Sequence, residues 1–212
     1  MRAITIITAT DGEYAAVKRA VDRMCAENPS QGRPMVVCFG VGKVYAAAAT
    51  TEAIINNPKG VILNIGLAGG LRGDMAIGEV YSVLEAVQYD FDLSKVNGKG
   101  IGTLDGEESP YIKLNTVDGY MTEVLGTADR FASTIGDRGT LLDLDCGLCD
   151  MEGAAIAQVC ARACVPCYSV KVVSDLASKP SQVEQYAENA RFALERIEAE
   201  LPRILGLICA NM

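Results

Sequence analysis

The chemistry this chain can do lies in carboxylates at the ends of apolar stretches. Asp150 and Glu152 stand in CDMEGAA, just before an alanine-rich segment. Asp175 follows Ser174 at the end of Cys167–Val173, a nearly continuous β-rich run of the kind buried on both faces of a sheet. Glu13 comes in the turn Thr10-Asp11-Gly12-Glu13, directly after the first apolar stretch. Strand ends of open α/β sheets are where ligands bind. A carboxylate there is costly to bury without a partner, and one with a raised pKa can serve as a general acid. Taken singly, each acid has a structural reading. Asp150 and Glu152 read as solvated loop acids, Asp175 as the cap of the following helix, and Glu13 as an acid suited to a helix dipole. Together they read as a site. The chain contains no histidine, which excludes a Ser-His or Cys-His nucleophilic arrangement.

The elements that must position these acids alternate along the chain. Residues 2–9 form a strand, and a helix runs from the Thr10 turn to about Asn28. Pro34 to Phe39 is a second strand; GVGKVYAAAATTEAII is a glycine turn and a helix. Lys43 could meet an anion at that helix start, although GxGK alone is weak evidence. Residues 60–66 are a third strand, and Ala68-Gly69-Gly70 is a loop whose backbone N–H groups could approach a ligand closely. Residues 78–92 alternate as a strand. Leu93 to Asn115 reads as a long loop with short ordered pieces, of the sort found at functional or partner surfaces. Tyr120 to Thr127 is a strand, followed by a variable loop up to Leu142. Gly153 turns the chain tightly out of the acids into a helix of small residues packed on the sheet. Pro180 opens a polar region, and residues 182–208 make a closing amphipathic helix. The alternation indicates α/β with a largely central sheet.

Composition limits the rest. With 212 residues, half of them hydrophobic, a single domain over 1–212 is expected. A net charge of −8 and a pI near 4.7 argue against a nucleic-acid or anionic-membrane surface. No apolar run approaches the ~20 residues that span a bilayer, and no signal peptide is visible, so a cytoplasmic protein is expected. Of the eight cysteines, Cys146, Cys149, Cys160, Cys164 and Cys167 form CxxC followed by CxxxCxxC, a spacing open to a metal site. Cys160 and Cys164 fall within the amphipathic helix and Cys167 opens a strand, among apolar neighbours. Buried, reduced thiols are therefore expected, with no metal and no cofactor.

Five segments carry a resemblance: GVGKVYAAAAT, NIGLAGGL, TADRF, DMEGAAIAQVC and SDLA. In order and spacing they resemble the purine nucleosidase and phosphorylase superfamily, and most of all the 5′-methylthioadenosine/S-adenosylhomocysteine nucleosidases. The resemblance covers nearly the whole chain. It implies a three-layer αβα fold with a central mixed, barrel-like sheet, and a homodimer with the 93–115 loop near the partner. It also implies roles. Asp175 matches the acid that protonates or strongly hydrogen-bonds purine N7, and Ser174 the residue that orients it. Glu13 matches the acid that activates water. Glu152 matches the carboxylate that grips the ribose hydroxyls, with Met151 beneath the sugar. Phe131 matches the aromatic that stacks on the base, the Ala132 backbone would read the purine edge, and Ala68 and Gly69 line the ligand.

Hydrolases and phosphorylases share this scaffold. The phosphorylases place an arginine just before the glycine turn, where this chain has Asn64, and a phosphate dianion without bidentate arginines is poorly held. Hydrolysis is expected, with Arg72 keeping a phosphorylase alternative open. Two departures concern the sugar side. Leu67 stands where the family's GSAGG has a small hydroxyl residue, and Leu93–Pro110 lacks the aromatic pattern of a 5′-substituent pocket. Futalosine hydrolysis is therefore an alternative. Outside enzymes, the alternatives are a weakly catalytic nucleoside-binding protein or a cysteine-based metal protein.

Overall fold

The computed structural model describes residues 3–29, 32–177 and 182–211. In chain order its elements are β1 (Ile4–Thr8), α1 (Asp11–Glu27), β2 (Met35–Cys38), α2 (Lys43–Asn56), β3 (Val61–Gly70), β4 (Val80–Gln88), α3 (Ser94–Asn97), β5 (Ile112–Lys113), β6 (Met121–Thr127), α4 (Ile135–Asp143), β7 (Leu148–Asp150), α5 (Gly153–Arg162), β8 (Cys167–Leu176) and α6 (Gln182–Ala210). The alternation read from the sequence is thus a mixed α/β fold.

Five strands close on themselves. β3 pairs with β8 in parallel, β8 with β4 antiparallel, β4 with β6 in parallel, β6 with β7 in parallel, and β7 antiparallel with β3. Closure removes free edges from this ring. Two parallel strands, β1 and then β2, extend the sheet from β3, and β5 extends it from β4. Helices cover both faces. Ile4 and Ile6 of β1 join Leu63 and Ile65 of β3 under α1 and α6, while Ile7 and Ile62 face the other way toward Ala46 and Ala53 of α2 and Ile156 of α5. Burial on both faces is why these strands are unbroken apolar runs rather than alternating ones.

Several sequence expectations change. Ala68-Gly69-Gly70 is no loop, because β3 continues through all three residues and pairs with β7 and β8. The loop expected up to Leu142 contains α4, started by a reciprocal capping box between Thr134 and Asp137. Gly153 does not serve a left-handed turn. A Cβ there would sit 2.4 Å from Leu125 Cδ2 and 2.9 Å from Asp150 Oδ2, so close packing excludes a side chain. Cys164 lies beyond the end of α5 and is exposed, whereas Cys146, Cys149, Cys160 and Cys167 are buried. Residue 2 and the polar region opened by Pro180 lie outside the described residues.

Candidate active site

A cavity of about 480 Å³ opens at the carboxyl ends of β1, β3 and β8 and at the β7–α5 junction. That is a size ordinary for a small-molecule site. Glu13, Ala68, Gly69, Phe131, Ala132, Met151, Glu152, Ser174 and Asp175 all line it. The acids that are far apart in sequence therefore share one space, as their joint reading required.

Glu13 is placed by local and distant contacts together. As the third helical residue of α1 it completes a capping box, its N–H donating to Thr10 Oγ1 while its Oε2 accepts from Thr10 N at 3.0 Å. Oε2 also accepts from Ala9 N at 3.0 Å, and Oε1 from Leu67 N at 2.8 Å. Three backbone donors fix the carboxylate and leave Oε1 with acceptor capacity. Gly66 makes room for it, since a Cβ there would lie 2.5 Å from Glu13 Oε1. Leu67, the departure from the family's hydroxyl residue, meets Glu13 through its backbone.

Asp175 depends on a bulge in β8. Ala68 of β3 pairs with Val173 but Gly69 pairs with Asp175, so Ser174 is an extra residue. Such a bulge re-aims side chains at a site. Asp175 belongs to the strand, and its carboxylate is held by side chains. Ser174 Oγ donates to its Oδ1 at 2.7 Å and Gln182 Nε2 to its Oδ2 at 2.7 Å. Burial raises its pKa above the usual carboxylate value, against the two hydrogen bonds, which lower it. Gly69 is needed here too, because a Cβ would stand 2.9 Å from both Asp175 Oδ2 and Cys149 Sγ. Burial pushes the Cys149 thiol well above its ordinary range, which disfavours the thiolate at this wall of the cavity.

Glu152 precedes α5 and accepts the Gly42 N–H through Oε1 at 2.8 Å. Burial first, then the neighbouring Asp150 charge, raises its pKa to about 7. Because the folded value lies above the ordinary 4.5, ionising Glu152 costs stability progressively from about pH 4.5 and fully above pH 7. Glu152→Gln keeps the acceptor for Gly42 without the charge. It should raise Tm by roughly 3–6 °C at pH 8, with the gap closing toward pH 5. Thermal melts across pH check this, and a variant less stable than wild type at pH 8 would contradict the sign.

Asp150 is no solvated loop acid. It forms a buried ion pair with Lys171, Nζ to Oδ2 at 2.8 Å, with both side chains 2% exposed. Thr127 Oγ1 and Gly153 N–H complete its shell at 2.5 and 2.8 Å. Burial opposes the Lys171 charge, yet Asp150 and Glu152 hold the ammonium above its ordinary range. Sequence reasoning missed this lysine, although a single cation inside the apolar run of β8 was its signal. It also missed Gln182 and Tyr186, which come from the start of α6. Tyr186 meets Phe131 edge to face, 6.1 Å between centroids at 75°.

Cations suited to phosphate are otherwise engaged. Arg72 makes a bidentate pair with Glu123, reaches Asp145, and does not line the cavity. Lys43 is bound to Asp90 at 2.6 Å rather than waiting for an anion. Among the described residues Arg130 is the one cation on the cavity wall, and it is paired with Asp137. Asn64 is buried between Ile7 O and Ser169 Oγ. Among the described residues no group of three or more His, Cys, Asp or Glu side chains could hold a metal, and no helix is long and apolar enough to cross a membrane.

A closed mixed barrel with helices on both faces and convergent acids at the strand ends defines a class, and the sequence comparison agrees with it. The chain belongs to the phosphorylase superfamily, whose sequence profile matches residues 3–117 and 116–206. It is 33% identical to the 5′-methylthioadenosine/S-adenosylhomocysteine nucleosidase of Shewanella pealeana over 72% of this chain and 73% of that one. It is 28% identical to the enzyme of the same name from Psychromonas ingrahamii, over 92% and 97%. In fold it resembles the futalosine hydrolase of Helicobacter pylori (TM-score 0.84, 19% identity, 97% of each chain). It also resembles the methylthioadenosine/adenosylhomocysteine nucleosidase of that organism (TM-score 0.83, 18% identity, 97% and 98%).

Proposed function

We propose that this chain is a purine nucleosidase that hydrolyses the N-glycosidic bond of 5′-modified adenosines, of the methylthioadenosine and adenosylhomocysteine type, to adenine and the free sugar. The observation that carries this is the arrangement of Asp175 and Glu13 around one cavity that offers no unpaired cation among its described residues. Cleavage of the bond builds positive charge on the ribose and negative charge on the departing purine. Asp175, raised by burial and oriented by Ser174 and Gln182, supplies the proton or hydrogen bond to purine N7. Glu13 accepts the proton of the attacking water. Glu152 holds the ribose hydroxyls above Met151, and Phe131, braced by Tyr186, stacks on the base beside the Ala132 backbone. The reading includes a cytoplasmic homodimer with the 93–115 segment near the partner. Exposed Val44, Tyr45 and Ile55 on α2 and Val96 on α3 supply apolar surface for that contact.

Purified protein incubated with methylthioadenosine, adenosylhomocysteine, futalosine and inosine should release base from a 5′-modified adenosine equally with and without phosphate. The sugar product should be the free pentose. Release only with phosphate, giving a sugar 1-phosphate, would overturn hydrolysis, and release from futalosine alone would reassign the 5′ group.

A further inference from the structure

Lys43 lies outside the cavity wall and has no part in the reaction above, yet it closes a ring of contacts behind Glu152. Its backbone N–H donates to Asp129 Oδ1 at 2.7 Å, the Asp129 N–H donates to Asp90 Oδ2 at 3.0 Å, and Lys43 Nζ binds Asp90 Oδ1 at 2.6 Å. The ammonium also stands 3.9 Å from Asp129 Oδ2. Three separate segments are joined in this way: the start of α2, the turn after β4 and the turn after β6. The N-terminus of α2 has no side-chain cap of its own. Its first two amides are instead taken by carboxylates from elsewhere, Gly42 N by Glu152 and Lys43 N by Asp129. Two aspartates meet one lysine; Lys43 is 17% and Asp90 13% exposed, so water screens that pair incompletely, while Asp129 stands 49% exposed at the rim. Without the ammonium the two carboxylates repel, and the segment bearing the Gly42 amide loses its anchor.

We propose that Lys43 is a positioning residue for the sugar. Through its ring with Asp90 and Asp129 it holds the Gly42 N–H on Glu152 Oε1 and so aims the other carboxylate oxygen at the ribose hydroxyls. The inference rests on the nucleosidase reading for the role of Glu152, whereas the ring itself is geometry. A helix staple of purely structural purpose would lower stability and weaken every ligand alike. A positioning residue acts on ligands that carry the hydroxyls.

The test measures KM and kcat for methylthioadenosine, and the inhibition constant of its 2′,3′-dideoxy analogue, in wild type, Lys43→Met and Lys43→Met/Asp90→Asn. Lys43→Met should raise KM about tenfold with kcat within about threefold. The dideoxy analogue should change by less than about twofold, and the double variant, relieved of the uncompensated charge, should recover part of the loss. An equal loss for both ligands, or an unchanged KM, overturns the proposal. Failure of the nucleosidase reading appears separately, as wild type that does not turn over methylthioadenosine or binds the dideoxy analogue just as tightly. Amide hydrogen exchange decides the ring in that event. Faster exchange at Gly42 in Lys43→Met supports the hold on that amide, and unchanged exchange overturns it.

Discussion

Asp175→Asn should lower kcat for adenine release by about three orders of magnitude, within the range set by losing a general acid. Asparagine keeps the shape: its Oδ1 can accept from Ser174, and the Gln182 amide, which now donates to Oδ2, meets the Nδ2 by turning its oxygen inward, so the fold and the cavity are retained. What it cannot do is deliver a proton as the purine leaves. The pH profile separates this from a packing defect. In the proposed mechanism Asp175 works in its protonated form, and burial raises its pKa, so wild-type turnover should fall as pH rises through that raised value. In Asp175→Asn that alkaline limb should vanish. A variant with a low rate but an unchanged limb would assign the limb, and the acid, to another group.

Lys171→Met should be the most destabilising single change at the site. Removing one partner of a buried ion pair leaves the other charge uncompensated, a loss of about 3–5 kcal/mol. For a chain of this size that is a fall in Tm of roughly 10 °C or more. Asp150 keeps Thr127 and Gly153 as donors, which sets a floor under the damage. Methionine can fill much of the volume, so the charge rather than a cavity carries the effect. Replacing both partners, as Asp150→Asn with Lys171→Met, should recover most of the stability, because a matched neutral pair has no stranded charge. Thermal unfolding of the two single variants and the double variant gives the coupling. Additive losses would mean that water already reaches the pair.

The two residues also mark how far the sequence could be read. Asp175 was visible because Ser-Asp ends an apolar run, and because its neighbours resemble a family whose chemistry needs an acid there. Lys171, four residues earlier, lay inside that run and was passed over. Taken alone, its partner Asp150 reads as a solvated acid, since nothing local says that a distant strand and helix close over it. Cys164 erred in the other direction. Helical spacing from Cys160 placed it in the core, but α5 ends at Arg162 and the chain turns outward.

By itself the sequence determined most of the alternation of strands and helices, the absence of histidine chemistry, and the carboxylates available as acids and bases, while the purine nucleoside itself came from the family resemblance. Those properties are local, fixed by periodicity, glycine placement and the functional groups present. Only the tertiary structure decided that β3 runs through Gly70 and that a bulge at Ser174 aims Asp175. The same holds for the three backbone amides that grip Glu13 and for the pairing of Lys43, Arg72 and Lys171 with carboxylates far away in the chain. Register shifts and ion pairs depend on which segments meet, and meeting is settled by closure of the barrel. That closure turns a set of separate acids into a single site.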